Sequence, residues 1–174
     1  MPELPEVESF RKFVADTSLQ QKIERVQLAT RGMLIDTTDQ QLEDVLTGNS
    51  FTDTFRHGKF LFIKLKSGES LMLHFGMTGD LFYDREDDRS AMPFVLRVEF
   101  ANGYTLTFSD WRRFGRLALV DDANAFIEQR GYGKDALQIS LKEFLHLLDK
   151  RRTSIKGALL NQKILAGIGN ELAD

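Results

Sequence analysis

The sequence predicts a mostly β fold with helices. A two-layered antiparallel β-sandwich, or flattened barrel, carries an N-terminal helix and leads into a helical segment begun but not completed. Three observations predict it. Residues 59–66 and 94–100 alternate apolar and polar side chains with the period of two that a strand shows when one face is buried. Asn102-Gly103, after the second of these runs, is the strongest hairpin signal in the chain. Beyond Val120 the apolar spacing changes to that of helices.

Val7, Phe10, Phe13 and Val14 recur at helical spacing, so a helix is expected to about Asp16, its apolar face sealing one side of a core. Residues 23–29 read as a strand, and 39–46 as a short helix capped by Asp39 and stopped at Gly48. Lys59 begins the first alternating run and shares a strand face with Leu61, Ile63 and Leu65. Ser67-Gly68 turns the chain into a strand over 70–75, and 84–90 reads as a polar loop. Residues 104–108 and 117–120 are further strands. Asp121 or Asp122 caps a helix through Arg130, which Gly131-Tyr132-Gly133 breaks. Ser140 caps another, with Leu141, Phe144, Leu145 and Leu148 as its buried stripe, and a third spans 153–160. A last helix starts after Gly167-Ile168-Gly169-Asn170 and has under two turns before Asp174. Two domains are therefore expected: residues 1–120, and residues 121–174 as the start of a helical unit.

The 174 residues carry 23 Lys and Arg against 26 Asp and Glu, a net charge of −3. That mild acidity taken globally argues against a nucleic-acid partner, but net charge hides clusters, and the basic residues here are clustered. Cysteine is absent, which excludes disulfides and thiolate metal sites from this stretch. No run is long or apolar enough to span a membrane and no signal peptide leads, so a cytoplasmic protein is the simplest expectation.

Five constellations carry chemistry. The terminus reads Met1-Pro2-Glu3-Leu4-Pro5-Glu6-Val7-Glu8. Removal of Met1 would leave Pro2 with a free secondary amine, a nucleophile that titrates near ~8. Such an amine can form an iminium with an aldehyde-like carbon, with Glu3 beside it to move protons. While Met1 stays attached, the Pro2 nitrogen is a tertiary amide and cannot do so. Taken alone, the same residues are also a helix start with acids placed against the dipole. Arg56-His57-Gly58-Lys59 offers a lysine at a sandwich mouth, able to anchor phosphate, although strand-end lysines more often reach water. His74-Phe75-Gly76-Met77-Thr78-Gly79 sets an exposed Met between glycines, a flexible wedge suited to a gap left by an extruded base; a core Met beside a bulge is the plainer alternative. Asp110-Trp111-Arg112-Arg113-Phe114-Gly115-Arg116 joins guanidinium groups to rings, a combination suited to phosphate and base, although in isolation such a run is as often a solvated loop. Residues 150–163 hold Lys150, Arg151, Arg152, Lys156 and Lys163 with no acid among them, suited to a phosphate backbone with Asn170 and helix N-terminal amides. A solvated helix face accounts for that last run equally well.

Together and in this order, the terminal motif, Arg-His-Gly-Lys, His-Phe-Gly-Met-Thr-Gly, Arg-Arg-Phe-Gly and Gly-Ile-Gly-Asn resemble the formamidopyrimidine-DNA glycosylase/endonuclease VIII family. The similarity covers the whole chain and is closer to the formamidopyrimidine branch. The resemblance implies a base-excision-repair glycosylase and abasic-site lyase for oxidised purines such as 8-oxoguanine. Pro2 would attack the anomeric carbon, Glu3 would serve as general acid and base, Glu6 would orient the terminus, and Lys59 would hold a phosphate and assist β-elimination. Met77, Arg112 and Phe114 would fill the void left by the flipped lesion, and His74, Arg151 and Asn170 would grip flanking phosphates. The implied partner is double-stranded DNA containing oxidised bases, bound by a monomer. The helical part would begin a helix-two-turn-helix domain. No cofactor is expected in this stretch, because the family's zinc or zincless finger lies beyond Asp174; the 174-residue piece alone would bind and cleave weakly.

The chain departs from the family pattern at Ala91-Met92-Pro93-Phe94, where a Lys-His pair is usual, and at Trp111, where a Pro is usual. The altered 91–94 region and the acidic balance also suit a second reading, a non-catalytic relative that binds DNA or a protein partner.

Overall fold

The computed structural model describes residues 1–30, 32–85, 93–149 and 154–174. Helix α1 (Leu4–Thr17) starts one residue after Glu3, with Pro5 in its first turn, where a missing N–H costs nothing. It buries Leu4, Val7 and Val14, and Phe10 and Phe13 pack at the edge of the same core. Strand β1 (Ile23–Leu28) and helix α2 (Asp39–Leu46) follow. The cap of α2 is Thr38 rather than Asp39: its hydroxyl accepts the Gln41 N–H, and Gln41 Oε1 accepts the Thr38 N–H in return.

Two four-stranded antiparallel sheets form the body. One runs β2 (Phe51–His57), β3 (Phe60–Leu65), β4 (Ser70–His74) and, beyond β4, β8 (Arg116–Val120). The other runs β1, β6 (Leu96–Phe100), β7 (Tyr104–Asp110), β5 (Gly79–Arg85). The sandwich prediction holds. Its central layer is fully apolar, with Leu61, Ile63, Leu71, Leu73, Val98 and Phe108 buried between the sheets. The β6–β7 hairpin falls at Asn102-Gly103, with the Gly103 N–H donated to Phe100 O and Gly103 at φ +79°.

The sheet β2-β3-β4-β8 is covered on both faces. Phe62, Met72, Ala118 and Val120 form a second cluster with Ile127 and Phe126 of α3 (Ala123–Gln129). That explains why Leu61, Phe62 and Ile63 are buried in succession. Lys59 is not on the strand, as the alternation suggested, but in the turn between β2 and β3. Asp84 and Arg85 belong to β5; residues 86–90 of the expected loop lie outside the described residues.

Past α3 the chain makes β9 (Lys134–Asp135), α4 (Leu141–Asp149), α5 (Ile155–Leu160), β10 (Leu165–Ala166) and α6 (Asn170–Ala173). Strands β9 and β10 pair in parallel. Helix α4 packs through Phe144, Leu147 and Leu148, whereas Leu141 and Leu145 are exposed, so half of the expected stripe faces outward. Only one side of this helix meets the small cluster around Ala158, Ile164 and Leu165. No described helix is long and apolar enough to cross a membrane.

Candidate active site

The register of the first sheet places the motifs. His57, Phe60, His74 and Arg116 stand side by side across β2, β3, β4 and β8, at one end of the sheet. The turns holding Lys59 and Met77 and the loop 111–115 therefore leave from one rim. In the second sheet Gly79 pairs with Asp110, so both the Met77 turn and the Arg-Arg-Phe loop cross between the sheets there.

The chain start is fastened to the other side of that rim. The Leu4 N–H donates to Gly167 O (3.1 Å). The buried Glu3 carboxylate accepts three backbone N–H groups, from Gly169 (2.8 Å), Glu171 (3.0 Å) and Leu172 (3.2 Å). These amides surround the start of α6, where unpaired N–H groups favour an anion. Glu6 Oε2 accepts the Glu3 N–H at 2.9 Å, and Pro2 is half-buried beside them.

Gly169 shows how closely Glu3 and Lys59 meet. A Cβ placed on it would lie 2.1 Å from Glu3 Oε1 and 2.6 Å from Lys59 Nζ. Burial lowers the Lys59 pKa, and the Glu3 carboxylate raises it again in part, leaving a net downward shift.

A buried ion pair brings the two regions together. The Arg56 guanidinium donates to both Asp135 oxygens (2.6 and 2.9 Å) and to Gly58 O (2.9 Å). Asp135 is fully buried and also accepts the N–H groups of Gly58 (2.7 Å) and Leu137 (3.0 Å). Burial pushes the Asp135 carboxyl up, but the guanidinium and these amides outweigh it and the net shift is downward. Gly58, at φ +56°, leaves no room for a side chain: a Cβ there would meet Ala166 Cβ at 2.8 Å. The turn that carries Lys59 is thus pressed against β9 and β10. The sequence reading named Arg56 as part of a motif and missed Asp135, whose place in a Gly-Lys-Asp stretch gave no sign of a partner 79 residues away.

Met77, Arg112 and Phe114 are also brought together. The Arg112 guanidinium lies 5.4 Å from the Phe114 ring centroid, and its Nη1 is 3.7 Å from Met77 Sδ. Backbone closeness fixes this tip, since a Cβ on Gly76 would be 2.5 Å from both Phe114 C and Gly115 N. Asp110 holds the loop from beneath, accepting from Thr78 Oγ1 (2.5 Å) and the Gly115 N–H (2.7 Å). Asn170 is exposed at the first residue of α6. Lys150, Arg151 and Arg152 lie outside the described residues, as do Ala91 and Met92. Lys156 does have an acidic partner, Asp174.

His74, which the family resemblance assigns to a flanking phosphate, sits at the end of β4. It is largely buried, and Nδ1 accepts the Gly76 N–H at 3.2 Å, so the neutral ring carries its proton on Nε2. Burial first, then the nearby charges of Lys59 and Arg116, depress its pKa from 6.5 to about 4, against a smaller opposing effect of Asp110. The unfolded chain takes up this proton before the folded one does. Stability contributed by neutral His74 is full above pH 6.5 and lost as pH falls toward about 4. The expected loss is about 3 kcal/mol, and denaturant midpoints across that range, flattened in His74→Gln, check it.

Residues 1–117 match the family model for the formamidopyrimidine-DNA glycosylase N-terminal domain. The chain belongs to this family. The formamidopyrimidine-DNA glycosylases of Herpetosiphon aurantiacus and Syntrophomonas wolfei are 34% and 33% identical over the whole chain. The chain spans 65% and 64% of their lengths. A Lactococcus lactis Fpg in complex with DNA containing an abasic site superimposes with a TM-score of 0.91 at 29% identity, over 99% of this chain and 65% of that one. The Lactococcus lactis protein bound to DNA containing N7-benzyl-Fapy-dG gives 0.90, with the same identity and coverage. Within the formamidopyrimidine-DNA glycosylase family, the fold of residues 1–117 is therefore that of the N-terminal domain.

Proposed function

We propose that this chain provides the catalytic end of a bifunctional DNA glycosylase and abasic-site lyase that removes oxidised purines from duplex DNA in base excision repair. The observation that carries the proposal is the buried Glu3 carboxylate, set beside Lys59 and one residue from the Pro2 nitrogen. Once Met1 is removed, the Pro2 amine adds to C1′ of the damaged nucleotide. The glycosidic bond breaks and the base leaves with a proton; the amine loses its proton, and cleavage of the C1′–O4′ bond, with O4′ taking up a proton, opens the sugar and gives the iminium. Glu3 carries protons between these groups. Removal of the C2′ proton then expels the 3′ phosphate, and water hydrolyses the iminium to free Pro2. Lys59 holds a backbone phosphate during these steps. Met77, Arg112 and Phe114 occupy the stack while the base is out, and His74 Nε2–H and Asn170 grip flanking phosphates, with Arg151 assigned the same task by its motif.

Borohydride reduction of the iminium is the direct test. Met1-free chain at saturating concentration of a duplex with one 8-oxoguanine should yield a covalent adduct, abolished when the Pro2 nitrogen is acetylated. Duplex binding without any adduct would instead favour the non-catalytic reading.

A further inference from the structure

Trp111 is used by none of the roles above, yet its setting is that of a binding element. It is 73% exposed, beside Phe114 at 51% and Met77 at 43%. Such a ring at a loop tip gains nothing from folding. It is nevertheless held in place. The Asp110–Arg113 turn is closed by the Arg113 N–H to Asp110 O (3.2 Å), and the neighbouring Arg112 N–H is tied to Thr78 Oγ1 (3.2 Å). The Arg112 guanidinium lies 5.6 Å from the Trp111 centroid and 5.4 Å from that of Phe114, bridging the two rings. Arg113 donates to Ala29 O and Arg116 to Gly115 O, and among the described residues no carboxylate forms an ion pair with Arg112, Arg113 or Arg116. An exposed aromatic ring carried on a hydrogen-bonded turn among guanidinium groups matches a nucleobase joined to phosphates.

We propose that Trp111 is a stacking platform for a nucleobase next to the gap, so that it raises affinity for a duplex with an unstacked position over a fully paired one. The proposal rests on the DNA reading above and assigns a specificity-determining residue within it. A gap exposes one face of the neighbouring base, which a ring can cover, whereas a paired duplex offers no free face.

The chain's single tryptophan makes the contact observable. Full chain is titrated with a fluorophore-labelled duplex containing a tetrahydrofuran abasic analogue, and with the intact duplex. Anisotropy of the label reports binding and tryptophan emission reports stacking. Emission should be quenched at saturation with the abasic duplex. Trp111→Leu should lose about tenfold in affinity for that duplex with little change for the intact one, while Trp111→Phe keeps most of the preference. Unchanged emission at saturation, or equal abasic-to-intact preference in Trp111→Leu and the parent, overturns the inference while leaving the DNA reading standing. No anisotropy change with either duplex removes both.

Discussion

Arg56→Met is expected to lower unfolding stability by about 3 kcal/mol at neutral pH, measured as a shift of the denaturation midpoint. The guanidinium is buried and satisfies both Asp135 oxygens, so its removal strands a carboxylate with no solvent access. The remaining N–H donors from Gly58 and Leu137 keep the cost at the lower end for a broken buried pair. The difference should narrow as pH falls below the ordinary carboxylate range. There the parent loses the stability that its depressed Asp135 pKa provides, while in the variant protonation relieves the stranded charge. A gap between variant and parent that stays constant with pH would assign the loss to packing instead. Glu8, which accepts from Arg56 Nε at 3.2 Å and pairs with Arg11, stays paired in the variant and does not confuse this comparison.

Gly169→Ala is expected to cut single-turnover adduct formation at least 100-fold, because displacement of reacting groups by about 1 Å costs that much. The backbone there is extended (φ −123°), so alanine adopts it without strain and the effect is purely spatial. Its methyl group would occupy space already taken by the Glu3 carboxylate and the Lys59 ammonium. Moving Glu3 also weakens its bonds to the 169–172 amides. Thermal unfolding measured alongside should also fall, because Glu3 and Gly169 are both buried, so the rate is read at a temperature where the variant is fully folded. Comparable rates for Gly169→Ala and parent would show that Glu3 and Lys59 can separate without consequence.

Much of this architecture was legible in the residues. The β6–β7 hairpin was readable because Asn102-Gly103 sits between two alternating runs, and α3 because Asp122 does cap it. Strands β2 and β5 were not legible. Phe51–His57 mixes Thr, Asp and Arg among its apolar residues and contains a bulge, and Gly79–Arg85 opens on glycine. Lys59 was misplaced because Phe60–Leu65 is buried on both faces, which makes a neighbouring turn look like more strand. The candidate site residues Pro2, Glu3, Lys59, Met77, Arg112 and Phe114 stand in motifs that the sequence displays. What joins them is not displayed there: the Arg56–Asp135 pair and the Glu3–Gly169 bond link residues far apart in the chain, and such contacts leave no local trace.

The Glu3 carboxylate meets its amide donors 166 to 169 positions away. Contacts of that span form late, after the loops between them have closed. A nascent polypeptide still attached to the ribosome thus leaves Glu3 in water until Leu172 has emerged. A product that stops before Gly169 would lack all three amide donors of the Glu3 carboxylate, so the order of synthesis itself decides when that carboxylate is satisfied.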